Sequence, residues 1–173
     1  MLHHEISGNG KKPLVLLHGF MENTTIWNEM EAHLSKDFTL IKIDLPGHGK
    51  SKVYQEIHTV ELMAEKVKEV IDALKLEKIN LLGHSLGGYV SLAFAEKFPS
   101  AVFHKGKRPW ETKVDIAIPA ATQNELDEED AKKLIANGVF CVTEAANMPC
   151  TLEAIKLFLD AKILFAPGKA ANA

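Results

Sequence analysis

Apolar positions along the first hundred residues follow two alternating periods. Short apolar runs, at 14–17 and again at 40–43 with Lys42 as the interruption, alternate with stretches where apolar residues recur every three or four positions. The short runs read as strands and the longer period as amphipathic helices. The spacing predicts a helix near 25–34 and a longer one from residue 60. Thr59 stands as N-cap of the latter, with Val60, Met63, Val67, Val70 or Ile71, and Leu74 on one face. A strand at 79–82 then leads into a helix whose buried face carries Leu86, Tyr89, Val90, Ala93 and Phe94, stopped by Pro99. The opening His4-Glu5-Ile6 before Gly8-Asn9-Gly10 reads as a short edge strand with a turn.

The stretch 99–113 breaks the pattern, being basic and holding Gly106 and Pro109, and marks a junction. Alternation resumes beyond it, with strands at 114–119, 139–143 and 163–166 and helices at 127–137 and 151–160. Glu128, Glu129 and Asp130 suit the start of the first of these helices, and Asn137-Gly138 its end. Strands alternating with helices throughout indicate the α/β class: a three-layer αβα sandwich on a mostly parallel sheet.

A chain of 173 residues with 46% hydrophobic content suffices for one well-buried domain. A net charge of −3 gives no basic excess, which argues against nucleic acid and anionic membrane and for a small-molecule substrate. The N-terminus has neither a basic nor an apolar signal region, so a soluble cytoplasmic protein is expected. Cys141 and Cys150 form no Cys-x-x-Cys pair, so no disulfide framework or zinc site is expected. Nothing in the sequence fixes the oligomeric state.

Candidate chemistry centres on Gly83-His84-Ser85-Leu86-Gly87-Gly88, which follows a strand and opens a helix. This is the pattern of a nucleophile elbow with Ser85 at its tip. Glycines two before and two after the serine relieve a turn too tight for side chains, and the turn lifts the hydroxyl clear of the sheet. The serine then sits at a helix N-terminus, where the Leu86 N–H can face an oxyanion.

Together with Leu17-His18-Gly19-Phe20 and the segment from Asp44 to Ser51, this motif makes residues 3–102 resemble the α/β-hydrolase superfamily. The resemblance implies Ser85 as nucleophile and the backbone N–H groups of Phe20 and Leu86 as the oxyanion hole. It also implies cofactor-free hydrolysis of an ester, thioester or related bond. Residues 103–173 resemble a different family, the cofactor domain of hexameric glutamate dehydrogenases. The likeness runs through 104–111, 114–126, 144–149 and 164–173. It implies that Asn147 and the Thr122 region stand where a dinucleotide is contacted. It departs at Ala145, where the family usually has glycine. Because both parents are open parallel sheets, a single hybrid domain over 1–173 with one shared sheet is expected.

The catalytic set is incomplete. In the resembled hydrolases an acid follows a later strand and a histidine follows the last one. Here the last histidine is His104, in the junction, and Glu144 is the available acid. Lys169 is no substitute for an imidazole near neutral pH. Weak or no turnover is therefore expected, the alternative being an inert hybrid with residual NAD(P) binding. No cofactor or metal is required. Gly47-His48-Gly49-Lys50-Ser51 resembles the tail of a phosphate loop, but Asp44 stands where the pattern needs glycine, so a turn is expected.

Overall fold

The computed structural model describes residues 1–98 and 106–171, in two compact units divided after residue 104. In the first unit, strand β1 (His4–Ser7) precedes β2 (Lys12–Leu17), helix α1 (Asn28–Leu34), β3 (Phe38–Ile43), α2 (Val60–Ala73), β4 (Asn80–Gly83) and α3 (Leu86–Lys97). The strands pair in the order β1-β3-β2-β4. Only β1 is antiparallel, with His4 opposite Ile43. Leu17 lies opposite both Ile43 and Gly83, so β2, β3 and β4 end side by side. Ligands gather outside the carboxyl ends of such parallel strands, and the three loops that leave these ends build the candidate site.

Alternation along the strands places a core on each face of this sheet. Val15, Leu17, Ile41 and Ile43 pack against Met63, Ala64, Val67, Val70 and Ile71 of α2 and Val90 and Phe94 of α3. Leu14, Leu16 and Leu40 pack with Trp27 and half-buried Leu34 on the other face. The first unit therefore has the three expected layers. The Thr59 hydroxyl accepts from the Leu62 amide at 3.2 Å, as a helix cap should. Tyr89 departs from expectation: it is 67% exposed, because α3 turns Gly87, Val90 and Phe94 inward instead.

The second unit holds β5 (Ile116–Ala117), α4 (Glu128–Ala136), β6 (Cys141–Thr143), α5 (Leu152–Asp160), β7 (Leu164–Ala166) and the single turn α6 (Gly168–Ala171). Its strands are all parallel, in the order β5-β6-β7. Asp127 and Asp130 close a capping box at the start of α4. The core comprises Ala117, Val142, Leu126, Leu134, Ala154 and Phe158, with Trp110 beside them.

The α/β class with parallel sheets holds. Among the described residues the strands hydrogen-bond as a four-stranded and a three-stranded sheet. Each half closes an apolar core from its own side chains. In the second sheet Ile116 and Leu164 are about half exposed or more. Pro99 and His104 lie outside the described residues.

Candidate active site

Ser85 follows β4 with φ 51° and ψ −113°, a conformation few residues other than glycine adopt. The surroundings leave the turn no slack. A Cβ on Gly83 would lie 2.2 Å from the Gly87 carbonyl oxygen, and one on Gly87 would lie 2.2 Å from that of Leu17. The His84 amide donates to the Leu17 carbonyl at 2.9 Å and the Gly87 amide to that of His84 at 2.8 Å, pinning both sides of the serine. Ser85 itself is exposed.

The loop after β2 runs alongside the elbow. His18, fully buried, accepts from the Leu45 amide through Nε2 at 2.9 Å. Its Nδ1 must then be the protonated nitrogen, donating to the Gly19 carbonyl at 2.7 Å. Burial pushes its pKa down, which keeps this neutral tautomer, so His18 fastens two loops together. Asp44, also buried, accepts from the Thr24 amide at 2.7 Å and the Lys50 amide at 2.9 Å. A Cβ on Gly49 would lie 2.3 Å from that carboxylate. The segment from Gly47 to Ser51 is thus a turn folded around Asp44, as expected, and not a phosphate cradle.

Glu22 is the residue that sequence reasoning missed here. Its Oε2 accepts from the Gly19 amide at 2.6 Å and meets His84 Nδ1 at 3.0 Å. Burial opposes the charge, yet the hydrogen bonds from His84 and the Gly19 amide outweigh it and hold the Glu22 carboxyl below its ordinary range. Only the three-residue step from Gly19 was readable in advance, since His84 lies 62 positions away. Gly19 and Gly87 spend their amides on Glu22 and on His84. Among the described residues the amides of Phe20 and Leu86 donate to no protein group.

Beside this loop lies a cleft of about 570 Å³. Its apolar lining includes Phe20, Met21 and Val53, and its polar lining includes Glu22, His48 and His58. Met21 has φ 59° and is 84% exposed, so a strained residue sits at the cleft mouth.

The proposed partners of the serine fare differently. His104 lies outside the described residues. Glu144 is buried, with Oε2 accepting from the Gly168 amide at 2.8 Å and Oε1 from the Cys150 amide at 3.2 Å. Both oxygens are already engaged within the second unit. There it ties the turn after β7 to the segment before α5. Among the described residues no group of three or more His, Cys, Asp and Glu side chains could hold a metal ion.

The second unit has its own cleft, about 660 Å³, where β6 and β7 end. Asn147, Met148 and Lys169 line it, together with Glu144 beneath. Thr122 is exposed and does not line it. Backbone bonds still lace the two loops, the Asn124 amide donating to the Met148 carbonyl at 3.0 Å and the Ala145 amide to that of Pro119 at 3.0 Å. No helix among the described residues is long and apolar enough to cross a membrane.

Comparison with known proteins finds two families whose matches overlap. The model of the alpha/beta hydrolase fold family matches residues 12–103. That of the Glutamate/Leucine/Phenylalanine/Valine dehydrogenase family matches residues 61–173. The overlap at 61–103 holds a strand between two helices, a unit that both sheet grammars use. Among solved structures, a marine microorganism esterase superimposes with a TM-score of 0.57 at 28% identity, over 71% of this chain and 43% of that one. The enol-lactonase from Burkholderia xenovorans LB400 gives a TM-score of 0.55 at 31% identity, over 58% and 40%. Among curated proteins, the NAD-specific glutamate dehydrogenase of Bacteroides fragilis is 58% identical over 87 residues, half of this chain. The glutamate dehydrogenase of Bacteroides thetaiotaomicron is 50% identical over 103 residues. The chain spans only about a fifth of the length of these curated relatives. Each family model covers more than half of the sequence, and the chain belongs to both families, the alpha/beta hydrolase fold and the Glutamate/Leucine/Phenylalanine/Valine dehydrogenases.

Proposed function

We propose that the chain is a serine hydrolase scaffold for small ester or thioester substrates, with Ser85 as its nucleophile and an incomplete relay behind it. The observation that carries this reading is the backbone of Ser85, held at φ 51° between two glycines where a Cβ would lie 2.2 Å from backbone oxygens. Strain of this kind costs about 1–3 kcal/mol and persists where it serves a site.

In the proposed reaction the Ser85 oxygen attacks the substrate carbonyl carbon while its proton passes to water. The carbonyl π-pair moves onto oxygen, and that oxyanion accepts from the amides of Phe20 and Leu86. Collapse of the adduct expels the leaving group and leaves an acyl-serine, which water then cleaves to the acid and free Ser85. Loss of the base from a triad lowers turnover by about four to six powers of ten. Oxyanion stabilisation and binding leave roughly 10³-fold to 10⁴-fold over water. Slow turnover of activated esters follows. A fluorophosphonate should label Ser85 far more slowly than it labels an intact family member, and fast stoichiometric labelling would contradict the incomplete relay.

A second reading draws on the cleft where β6 and β7 end, since dinucleotides bind at the carboxyl ends of parallel strands. It is an inert hybrid that keeps weak NAD(P) affinity near Asn147. Calorimetry with each nicotinamide cofactor separates the two. Binding at micromolar cofactor with no Ser85-dependent hydrolysis favours the second.

A further inference from the structure

We propose that Glu22 is the positioning residue of the oxyanion loop, its carboxylate clipping the amide of Gly19 to the ring of His84 so that the Phe20 N–H is held beside the elbow. This rests on the reading of Ser85 as the nucleophile. The loop from His18 to Thr24 needs such a clip because it has no regular structure of its own. Its turn is closed only by a 3.4 Å bond from the Glu22 amide to the Gly19 carbonyl, and the next residue along from Phe20 is strained Met21.

Two anchors fix the ends of this loop. His18 fastens its start to Leu45, and Asp44 fastens Thr24. Neither side chain hydrogen-bonds to the elbow. Glu22 does, and it does so from inside the loop. One oxygen, Oε2, serves both contacts, so the amide immediately before Phe20 and the residue immediately before Ser85 share a single acceptor. A Cβ on Gly19 would lie 2.6 Å from that oxygen and 3.0 Å from His84 Nδ1, so residue 19 must be glycine for the bridge to form. With Nδ1–H donated to a carboxylate, the charge-assisted bond is also stronger than one between neutral groups.

The consequence is directional. With its amide spent on Glu22, Gly19 is turned from the site, and the following amide, that of Phe20, is left as the loop's donor. An oxyanion donor contributes only when it is fixed in advance. Loss of the clip should therefore depress kcat and leave substrate binding nearly untouched. A glutamine at 22 still accepts from Gly19 through its amide oxygen, and it can donate to the other tautomer of His84.

The test compares the full chain with Glu22→Ala and Glu22→Gln on p-nitrophenyl acetate, with Ser85→Ala as reference, and follows exchange of the Phe20 amide by NMR. Glu22→Ala should lower Ser85-dependent kcat by about 10-fold to 100-fold, somewhat less than outright loss of an oxyanion donor. KM should change less than about 3-fold, most of the rate should return in Glu22→Gln, and Phe20 exchange should accelerate in the alanine variant alone. A kcat unchanged in Glu22→Ala, or an equal loss in both variants, overturns the proposal. If the wild-type rate proves independent of Ser85, the nucleophile reading falls on that result. Phe20 exchange then decides the clip alone: faster in Glu22→Ala sustains it, unchanged overturns it.

Discussion

Gly87 and Leu17 meet so closely that the α-carbon of one leaves no room for a methyl group above the carbonyl of the other. A Cβ at position 87 would lie 2.2 Å from the Leu17 oxygen and 2.8 Å from that of His18. Both obstacles are backbone, in strands and loops whose own hydrogen bonds would have to shift. Gly87→Ala should therefore destabilise the first unit by about 3 kcal/mol, the upper end for overpacking, and reduce Ser85 labelling. Urea denaturation checks this. Trp27 reports on the first unit and Trp110 on the second, so a Trp110→Phe background isolates the relevant transition.

Ser85→Gly should do the opposite to stability. Relief of about 1–3 kcal/mol of backbone strain exceeds the roughly 0.5–1 kcal/mol that glycine loses in chain entropy. A net gain of about 1 kcal/mol is expected in the same denaturation experiment, with complete loss of hydrolysis. An unchanged or lowered midpoint would show that the elbow is not strained.

These two expectations rest on features that differ in how well the sequence announced them. The elbow, its flanking glycines and the cap at Thr59 were legible because they are local, with every determinant lying within a few residues. Tyr89 was misplaced because a 3.6-residue period cannot tell which of two adjoining faces meets the sheet, and the small Gly87 allowed the closer one to be buried. The Glu22–His84 contact was invisible for another reason: it joins positions whose proximity exists only once β2 and β4 are paired.

Lys42 offers a test by pH. Nearly buried on β3, it is held by Glu31 at 2.7 Å and Glu5 at 3.3 Å. Its hydrogen bonds hold the Glu31 carboxyl, and that of Glu5, below the usual value of 4.5. A carboxyl lowered on folding contributes stability above its unfolded pKa and loses it as pH falls through the folded one. The first unit should therefore weaken as pH drops below about 4.5, and Lys42→Met should flatten that dependence. Acid titration of the Trp27 signal in both proteins checks the sign.

Cys150 should be silent toward thiol reagents. Burial, reinforced by neighbouring Glu144, pushes its thiol up to about 12. The thiolate is the reactive form, so iodoacetamide at pH 8 should leave Cys150 unmodified in the native protein and alkylate it in urea. Peptide mass spectrometry distinguishes it from half-buried Cys141. Native alkylation of Cys150 would contradict its burial in the core of the second unit.

Glu144→Ala should expose the structural role of that carboxylate. Two backbone donors, from Cys150 and Gly168, lose their acceptor. The second unit should lose about 1–3 kcal/mol, read from Trp110, while hydrolysis at Ser85 continues. A fall in kcat with unchanged stability would instead point to a catalytic part for Glu144.

A chemically competent Ser85 hydroxyl with an incomplete relay, as proposed, has a simple kinetic signature. The most direct measurement is the rate of p-nitrophenyl acetate hydrolysis by the full chain beside that of Ser85→Ala. A slow rate above buffer is expected in the first and none above buffer in the second; equal rates in the two would contradict a competent Ser85.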